Sequence, residues 1–372
     1  MAPFSDPDHA SADALPATPE SGEAIDTRTG PGVLQRDAQA SAARPRVRVQ
    51  RRPVHGVLLL DKPLGWSSND ALQKAKWLLR AEKAGHTGTL DPLATGLLPL
   101  CFGAATKFSQ VSLDADKAYR ATLVLGARST TGDREGEITT GATPAFDARR
   151  LLEVLAGLQG RISQLPPMHS ALKKDGKALY EYARAGIEVE RTPREVTIHG
   201  IDIVSWQDAE LVIDVRCSKG TYVRTLAADI GDQLGCGAYL GALKRTGVGA
   251  LRVDQAIPLD ALEAMDEAAR DALLLAPDSL LGEWPALCLP AADAGRFLSG
   301  NRRRVTHPDA DALRVYGPSP TGGGRGDVAF LGSGHVRAGE LIADRLLAPA
   351  EVASTCRLAS GPTKRPEVAT PD

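Results

Sequence analysis

One short segment restricts the backbone more than any other part of this 372-residue chain. It reads Gly85-His-Thr-Gly-Thr-Leu-Asp-Pro-Leu-Ala-Thr-Gly96. Its three glycines allow backbone conformations that are closed to other residues, and Pro92 biases Asp91 towards an extended conformation. Leucines within and directly after the segment are expected to anchor it in a core. The pattern predicts a rigid, irregular loop that holds one carboxylate in a fixed position.

Two roles are open for Asp91 on these grounds. It can be a turn aspartate that accepts hydrogen bonds from nearby backbone amides, or a group that acts on a ligand. His86 can likewise be a loop histidine with a local partner, and no second ligand nearby supports a metal site. The segment lacks the Gly-Lys-Ser/Thr ending of a Walker loop and the spacing of a G-x-G-x-x-G motif.

A second segment, Cys217-Ser-Lys-Gly-Thr-Tyr-Val-Arg224, places a glycine between a predicted strand and a predicted helix. The exposed N-terminus of that helix attracts anions, and Lys219 adds positive charge, which suits a phosphate. The alternative is that Tyr222 belongs to the core and that Arg224 is a surface cation.

A third segment, from Leu165 to Arg184, interleaves cations with Tyr180 and Tyr182. That mixture suits contact with an RNA backbone together with stacking on bases. A solvated amphipathic helix is the alternative interpretation. The cations of this segment are Lys173, Lys174, Lys177 and Arg184.

Apolar patterning predicts an α+β fold in which a mixed or antiparallel sheet is flanked by helices. Alternating or continuous apolar residues predict strands at Gly56–Leu60, Tyr119–Leu125 and Leu211–Cys217. Helical spacing follows a Ser67–Asp70 cap and recurs from Val223 to Gly235. Strands and helices alternate without a regular βαβ rhythm, and we find no internal repeat.

The chain divides into five parts by composition. Residues 1–52 are rich in small and polar residues, and the first 40 carry seven acids and two bases, so this extension is predicted to be disordered. Residues 53–255 form the main domain, with an insertion at about 166–190. We expect a helical connector at 256–284, a small β-rich domain at 285–350, and a flexible tail at 351–372.

Overall composition narrows the class of protein. The net charge of −2 permits a nucleic-acid partner without requiring one, and five arginines within 44–52 suit either a solvated linker or an RNA contact. The five cysteines are scattered and form no C-x-x-C pair, which argues against disulfides and zinc. We see no secretory signal and no apolar run of the roughly 18 residues that cross a bilayer. These features predict a cytoplasmic protein.

Several short pieces that occur in order between about residues 55 and 250 together resemble the TruB-type tRNA pseudouridine synthases, the bacterial tRNA pseudouridine-55 synthases. Ser67 stands where many members have Thr, Lys244 stands where many have Arg, and the acidic N-terminal extension lies outside the family pattern. The matching pieces are Leu60-Asp-Lys-Pro-Leu-Gly-Trp-Ser-Ser68, Ala84 to Gly96, Lys117-Ala-Tyr119, Leu125-Gly126, Pro166-Pro-Met-His-Ser-Ala-Leu-Lys173, Tyr180-Glu-Tyr-Ala-Arg184 and Lys219-Gly-Thr-Tyr-Val-Arg224.

The resemblance implies an enzyme that isomerises one uridine in the T loop of tRNA, at position 55, to pseudouridine, without a cofactor or a metal. It implies that Asp91 is the nucleophile, that Tyr119 packs on the flipped-out base, and that Arg224 pairs with the aspartate. Further residues would line the uridine pocket or the gap that the base leaves: Tyr222 and Leu243 in the pocket, and His86 near the gap.

The resemblance also implies that the insertion at about 166–190 binds RNA and that residues 285–350 form a PUA-like domain. The implied partner is the T arm of tRNA, and we expect the protein to act as a monomer. Two other functions stay open: a non-catalytic tRNA-binding or RNA-chaperone protein, and a hydrolase with a carboxylate nucleophile. Contacts with the RNA backbone are expected from Lys173, Lys174, Lys177, Arg184 and Lys219.

Overall fold

Apolar strands supply the frame of the molecule. The computed structural model describes residues 50–170, 172–319, 328–356 and 358, so the predicted disordered extension up to residue 49 and the end of the predicted tail lie outside the described residues. The strands are β1 (Gly56–Lys62), β2 (Ala84–His86), β3 (Ala94–Phe102), β4 (Lys117–Leu125), β5 (Ala127–Ser129), β6 (Ile138–Thr140), β7 (Gly160–Gln164), β8 (Lys173–Lys174), β9 (Lys177–Ala178), β10 (Arg194–Gln207), β11 (Glu210–Cys217), β12 (Ala238–Val248), β13 (Leu251–Arg252), β14 (Ile257–Pro258), β15 (Ala286–Cys288), β16 (Arg303–Arg304), β17 (Ala310–Pro318), β18 (Val328–Arg337) and β19 (Glu340–Leu346).

Short helices connect and cover these strands. None of those described has the length and apolar character needed to cross a membrane. Among the described residues, 3₁₀ helices occupy Gly103–Phe108, Val253–Gln255 and Pro277–Leu281. The α-helices are α1 (Ser68–Leu78), α2 (Ser109–Asp114), α3 (Ala148–Gly157), α4 (Leu179–Arg184), α5 (Val223–Gln233), α6 (Leu259–Ala264), α7 (Glu267–Ala272), α8 (Ala291–Leu298) and α9 (Pro349–Thr355).

A large sheet of ten described strands runs in the order β14-β1-β3-β12-β4-β11-β10-β7, with β2 beside β3 and β13 beside β12. The pairs β1–β14 and β3–β12 are parallel, and the other pairs along this sheet are antiparallel. The predicted α+β class with a mixed sheet is therefore confirmed. The candidate site lies beside the parallel pair β3–β12, in the middle of the large sheet.

Helix α1 illustrates why the sequence folds as it does locally. The Ser67 side chain accepts a hydrogen bond from the Asp70 amide and so caps the helix, as the S-x-x-D pattern predicts. The residues at helical spacing, Ala71, Leu72 and Ala75 among them, are buried against β1 and β3. Helices α3 and α5 likewise bury their apolar faces on the strands β4, β10 and β11.

The region after residue 285 is rich in strands, as predicted, and forms a second sheet in the order β15-β17-β18-β19-β16. Its apolar residues belong to the same hydrophobic cluster as Val57 and Leu97 of the large sheet. The rings of Phe108 and Phe330 lie 5.2 Å apart at the junction. This second sheet therefore packs directly on the main domain.

Two predicted boundaries are wrong. Disorder was predicted through residue 52, but the Arg52 amide donates to the Arg80 carbonyl at 2.8 Å and its guanidinium pairs with Asp271. A flexible tail was predicted from residue 351, but residues 351–355 lie in α9, where Val352 and Thr355 are buried. In both places an ion pair or a buried apolar side chain outweighs the polar composition of the segment.

Candidate active site

The loop between β2 and β3 is held at several points of its backbone. The Ser68 hydroxyl accepts a hydrogen bond from the Leu90 amide at 2.7 Å and donates one to the Leu90 carbonyl at 3.0 Å. The Gly65 amide donates to the Pro92 carbonyl at 2.8 Å. Leu90 and Leu93 are buried, whereas the Asp91 side chain is 48% exposed. The loop is therefore fixed in the core while its carboxylate faces solvent.

Gly96 explains how this loop comes so close to β12. Its φ of +99° is a conformation that L side chains rarely adopt. A Cβ atom at this position would lie only 2.3 Å from the Arg245 carbonyl oxygen. The glycine thus allows β3 and β12 to pair in parallel directly after the loop, with Arg245 opposite Gly96.

Arg224 contacts the carboxylate directly. It lies in the first turn of α5, its side chain is only 8% exposed, and its Nη2 lies 2.9 Å from Asp91 Oδ2. Its Nη1 lies 3.3 Å from Oδ2 of the buried Asp133. The guanidinium also donates to the Thr131 carbonyl at 3.4 Å and to the His169 carbonyl at 2.6 Å. Four oxygens from three segments thus fix its position beside Asp91.

A cleft of about 250 Å³ opens beside Asp91. That volume is below the roughly 300–1,000 Å³ of pockets for drug-sized ligands, and it suits one planar ring. The predicted residues Tyr119, Tyr222, Leu243 and Arg224 all line it together with Asp91. Residues far apart in the chain, on β4, α5 and β12 and in the loop, therefore meet around one small opening.

Tyr119 and Arg245 face each other across the pair β4–β12. Both residues line the cleft. Burial raises the pKa of Tyr119 above its ordinary value, and the guanidinium opposes that rise only in part. The tyrosine is therefore a neutral phenol at physiological pH.

Main-chain contacts position Tyr222 at the start of α5. The buried Gln164 at the end of β7 accepts a hydrogen bond from the Tyr222 amide at 3.0 Å, and its side-chain amide donates to the Tyr222 carbonyl at 3.3 Å. Burial raises the pKa of the Tyr222 phenol. These bonds hold the ring at the wall of the cleft.

His86 lies at a second opening of about 510 Å³ that adjoins the first and also contains Asp91 and Arg224. Burial lowers the pKa of His86 below its ordinary value, and the nearby Arg245 lowers it further. Its Nδ1 is buried and has no hydrogen-bond partner among the described residues. The ring is therefore neutral at physiological pH and has an unused polar atom beside the loop.

Of the cations predicted to contact the RNA backbone, some lie beside the openings and others lie away from them. Arg184 lies over the Tyr180 ring at 5.3 Å, and both line the second opening. Lys177 lies over the Tyr182 ring at 4.9 Å. The remaining cations are exposed and are not among the residues that line the two openings: Lys173 and Lys174 on β8, where Lys174 donates to the Glu190 carbonyl at 3.1 Å, and Lys219, which pairs with Asp114 at 2.8 Å.

Sequence reasoning missed two groups at this site. The segment Thr131-Gly-Asp-Arg-Glu135 is typical of a turn, so the sequence indicates an exposed position for Asp133. The residue is in fact only 3% exposed and pairs with Arg224. Arg245 reads as one of two cations in a strand, yet it is 1% exposed. A charged residue inside a strand of mostly apolar and small residues is the signal that could have identified Arg245; nothing local marks Asp133.

Comparisons of the sequence with protein families place most of the described chain in one family. Residues 76–223 match the TruB family pseudouridylate synthase N-terminal domain, and residues 224–282 match the tRNA pseudouridylate synthase B C-terminal domain. A tRNA pseudouridine synthase B from Verminephrobacter eiseniae is 56% identical over 327 residues, 86% of this chain and 96% of the relative. One from Ralstonia pickettii is 54% identical over 303 residues, 80% and 95% of the two chains.

Solved structures with the same fold are more distant in sequence. A crystal structure of a Cbf5-Nop10-Gar1 complex contains a chain with a TM-score of 0.60 and 21% identity, covering 80% of this chain and 86% of that one. A structure of an H/ACA RNP bound to a substrate RNA containing 2'-deoxyuridine gives a TM-score of 0.58 at 19% identity, covering 81% and 88%. At such identities the likeness concerns the fold.

Proposed function

Because the chain belongs to the TruB family of pseudouridine synthases, we propose that it converts one uridine in the T loop of tRNA, at position 55, to pseudouridine. Its relatives are named tRNA pseudouridine synthase B. The observation that supports the proposal most strongly is the contact between Arg224 and a half-exposed Asp91 at the mouth of a cleft the size of one ring. We also propose that it acts as a monomer on the T arm, in the cytoplasm.

The reaction needs one fixed carboxylate and a small pocket. The N1–C1′ bond of uridine breaks, the uracil turns, and C5 is joined to C1′, while only protons enter or leave. A carboxylate can act as a reversible nucleophile in such a sequence. We assign that role to Asp91, and Arg224 orients it through a charge-assisted hydrogen bond of 2.9 Å.

The target base must leave its stack to reach Asp91, which costs a few kcal/mol. Stacking on an aromatic ring returns about 1–3 kcal/mol per base. Tyr119 lines the cleft beside Asp91, and we assign it to packing on the flipped uracil. Tyr222 and Leu243 form further walls of the same cleft. These residues offset much of the cost of extrusion.

The second opening suits the RNA around the target nucleotide. It is about twice the size of the first, and it lies between the catalytic loop and the insertion. Tyr180 and Arg184 line this opening with a ring and a cation, and His86 lines it too. We propose that the insertion contacts nucleotides beside the target uridine, and that His86 lies at the gap which the base leaves.

The function is tested with unmodified tRNA transcript and purified full-length protein. Pseudouridine in the product is mapped by carbodiimide modification followed by primer extension. We expect one new stop, at the T-loop uridine, and none when that uridine is replaced by cytidine. Binding of the transcript without any isomerisation would contradict the proposal and favour a non-catalytic RNA-binding protein.

A further inference from the structure

A further cavity, the Trp66 cavity, lies next to the catalytic loop and outside the two openings described above. Its volume is about 560 Å³, which is within the roughly 300–1,000 Å³ of pockets that hold drug-sized ligands. Trp66 forms part of its wall and is 37% exposed. Pro63, Pro258 and Leu259 add apolar surface. The proposed reaction uses none of these four residues, so the cavity is free for another role.

Hydrogen bonds on both sides fix the main chain that carries Trp66. The ammonium of the buried Lys62 donates to the Trp66 carbonyl at 2.6 Å. The Gly65 amide donates to the Pro92 carbonyl of the catalytic loop at 2.8 Å. The exposed indole is therefore carried by a rigid segment, and a ligand that packs on it loses little affinity to the ordering of the chain.

The Trp66 cavity and the catalytic cleft lie on opposite faces of the same pair of strands. Ala94 lines the cleft beside Asp91, whereas Thr95, the next residue of β3, lines the Trp66 cavity. Leu243 and Lys244 on β12 divide in the same way. Successive side chains of a strand point to opposite faces, and Ala94 is the first residue of β3. The two faces therefore meet at the catalytic loop that precedes β3.

The charges around the Trp66 cavity balance one another. Lys244 lies 3.3 Å from Asp61, and Glu263 pairs with Lys74 of α1. The two other charges at its wall, a buried lysine and the Asp260 carboxylate, have opposite signs. A surface of this kind gives no strong attraction to a phosphate backbone, so a ligand here is held mainly through the indole ring.

We propose that Trp66 stacks on a base of the substrate RNA, at a nucleotide outside the catalytic cleft. This inference rests on the proposed function, because an RNA whose uridine enters the cleft lies against the catalytic loop. Ser67 and Ser68, directly after Trp66, line the second opening, where we expect the RNA. An indole offers a flat face to any base, and such stacking needs no hydrogen bond to the base edge.

The first test measures the affinity of the full-length protein for unmodified tRNA transcript by filter binding. Trp66→Ala should weaken binding by about 5- to 150-fold, the range for losing one stacked base. Trp66→Phe keeps a ring and should recover most of that loss. The matched control is Trp77→Ala, which should bind as the wild type does. Trp77 is 52% exposed, lies on α1 with the Lys74 ammonium 5.5 Å from its ring, and is not among the residues that line the Trp66 cavity.

Three further measurements distinguish stacking from a structural role. A base stacked on an indole quenches its fluorescence, so tRNA should quench the wild type more than Trp66→Phe, which retains Trp77, Trp206 and Trp284. Because the charges at the cavity balance, Trp66→Ala should leave the salt dependence of binding unchanged. At saturating tRNA its single-turnover rate should equal that of the wild type, since Trp66 is not among the residues that line the cleft.

Wild-type affinity for Trp66→Ala, or equal losses for Trp66→Ala and Trp77→Ala, would overturn the inference. Equal quenching of the wild type and Trp66→Phe would also overturn it, and would leave the exposed indole to a protein partner. Melting curves identify variants that do not fold, and if Trp66→Ala is one of them, the fluorescence of Trp66→Phe decides. A wild-type protein that binds tRNA through Trp66 but forms no pseudouridine would refute the proposed function and leave this binding role in place.

Discussion

At the residue scale, the site is a small set of charges whose distances decide their roles. Asp91 is half exposed, while its partner Arg224 and the second carboxylate, Asp133, are almost fully buried. A guanidinium that contacts two carboxylates and two main-chain carbonyls has little freedom to turn. The buried Asp133 therefore positions Arg224, and Arg224 in turn positions Asp91, the carboxylate that we propose as the nucleophile.

Asp133→Asn tests this chain of contacts. The variant keeps the size of the side chain but removes the charge that faces Arg224, so Arg224 can move away from Asp91. We expect pseudouridine formation to slow by about 10- to 100-fold, because small displacements of reacting groups have effects of that size. Single-turnover rates measure the loss. Asp232→Asn, which removes a surface partner of Arg128, is the control. A wild-type rate for Asp133→Asn would contradict the argument.

The buried lysine behind the loop predicts a dependence of stability on pH. The Lys62 ammonium donates to the carbonyls of Pro63 and Trp66, and its burial lowers its pKa to about 8. The unfolded chain keeps this proton up to about pH 10. From pH 8 to about pH 10 the unfolded state therefore binds more protons, and this group makes the protein more stable as pH rises, by at most about 1.4 kcal/mol per pH unit.

The measurement is denaturant unfolding of wild type and Lys62→Met at several pH values in that range. The stability of the wild type should rise relative to the variant as pH increases. Lys117→Met should behave like Lys62→Met, because burial also lowers the pKa of Lys117 to about 8. A difference between wild type and both variants that stays constant with pH would show that the lysines stay charged in the folded state.

The sequence predicts some features of these site residues and leaves others unpredicted. The glycines and the proline around Asp91 mark it as a fixed carboxylate, but its role and that of Arg224 were implied only by the family resemblance. Their pairing could not be seen from the residues alone, since it depends on β3, β4 and β12 lying side by side. Asp133 was missed for the same reason: its partner Arg224 lies on α5, which comes much later in the chain.

At the scale of elements, the strands and helices with clear apolar periodicity were predictable. Leu211, Ile213, Val215 and Cys217 alternate in the sequence and are all fully buried on β11. Short elements such as β2, β8 and α9 have too few residues to show a period. The helix α9 was mistaken for a tail because only two of its seven residues are buried.

The helix α4 of the insertion carries a specific prediction for RNA binding. Tyr180 lines the opening beside Asp91, whereas Tyr182, on the same helix, donates its hydroxyl to the Lys174 carbonyl and is not among the lining residues. Tyr180→Ala should weaken tRNA binding by about 1–3 kcal/mol, the value of one stacked base. Tyr182→Ala is the matched control and should weaken it less. Filter binding at fixed salt measures both, and equal effects would contradict the assignment.

At the scale of the whole molecule, the two sheets of the described chain are less separate than the composition of the sequence predicts. The sequence changes character near residue 285, which predicts a separate small domain. The second sheet nevertheless shares a hydrophobic cluster with the large sheet, through residues such as Phe108 and Phe330. Contacts between residues so distant in the chain leave no periodic pattern, so this junction could not be predicted.

Phe330→Ala tests that shared core. The side chain is 2% exposed and lies against both Phe108 and Tyr316. Its removal should cost about 3–5 kcal/mol, and the two sheets should lose stability together. Thermal unfolding followed by circular dichroism and by tRNA binding should give coincident transitions, both shifted down. Unfolding of the second sheet alone, with the tRNA-binding transition unchanged, would show that the two sheets are independent.

Position 91 offers the most direct measurement of the central claim, which is that one fixed carboxylate carries out the isomerisation. Asp91→Asn and the control Asp214→Asn, which removes a surface partner of Arg120, are assayed side by side on tRNA transcript for pseudouridine and for affinity. We expect Asp91→Asn to bind tRNA with nearly the wild-type affinity and to form no pseudouridine, while the control forms it at the wild-type rate. Substantial product from Asp91→Asn would contradict the account.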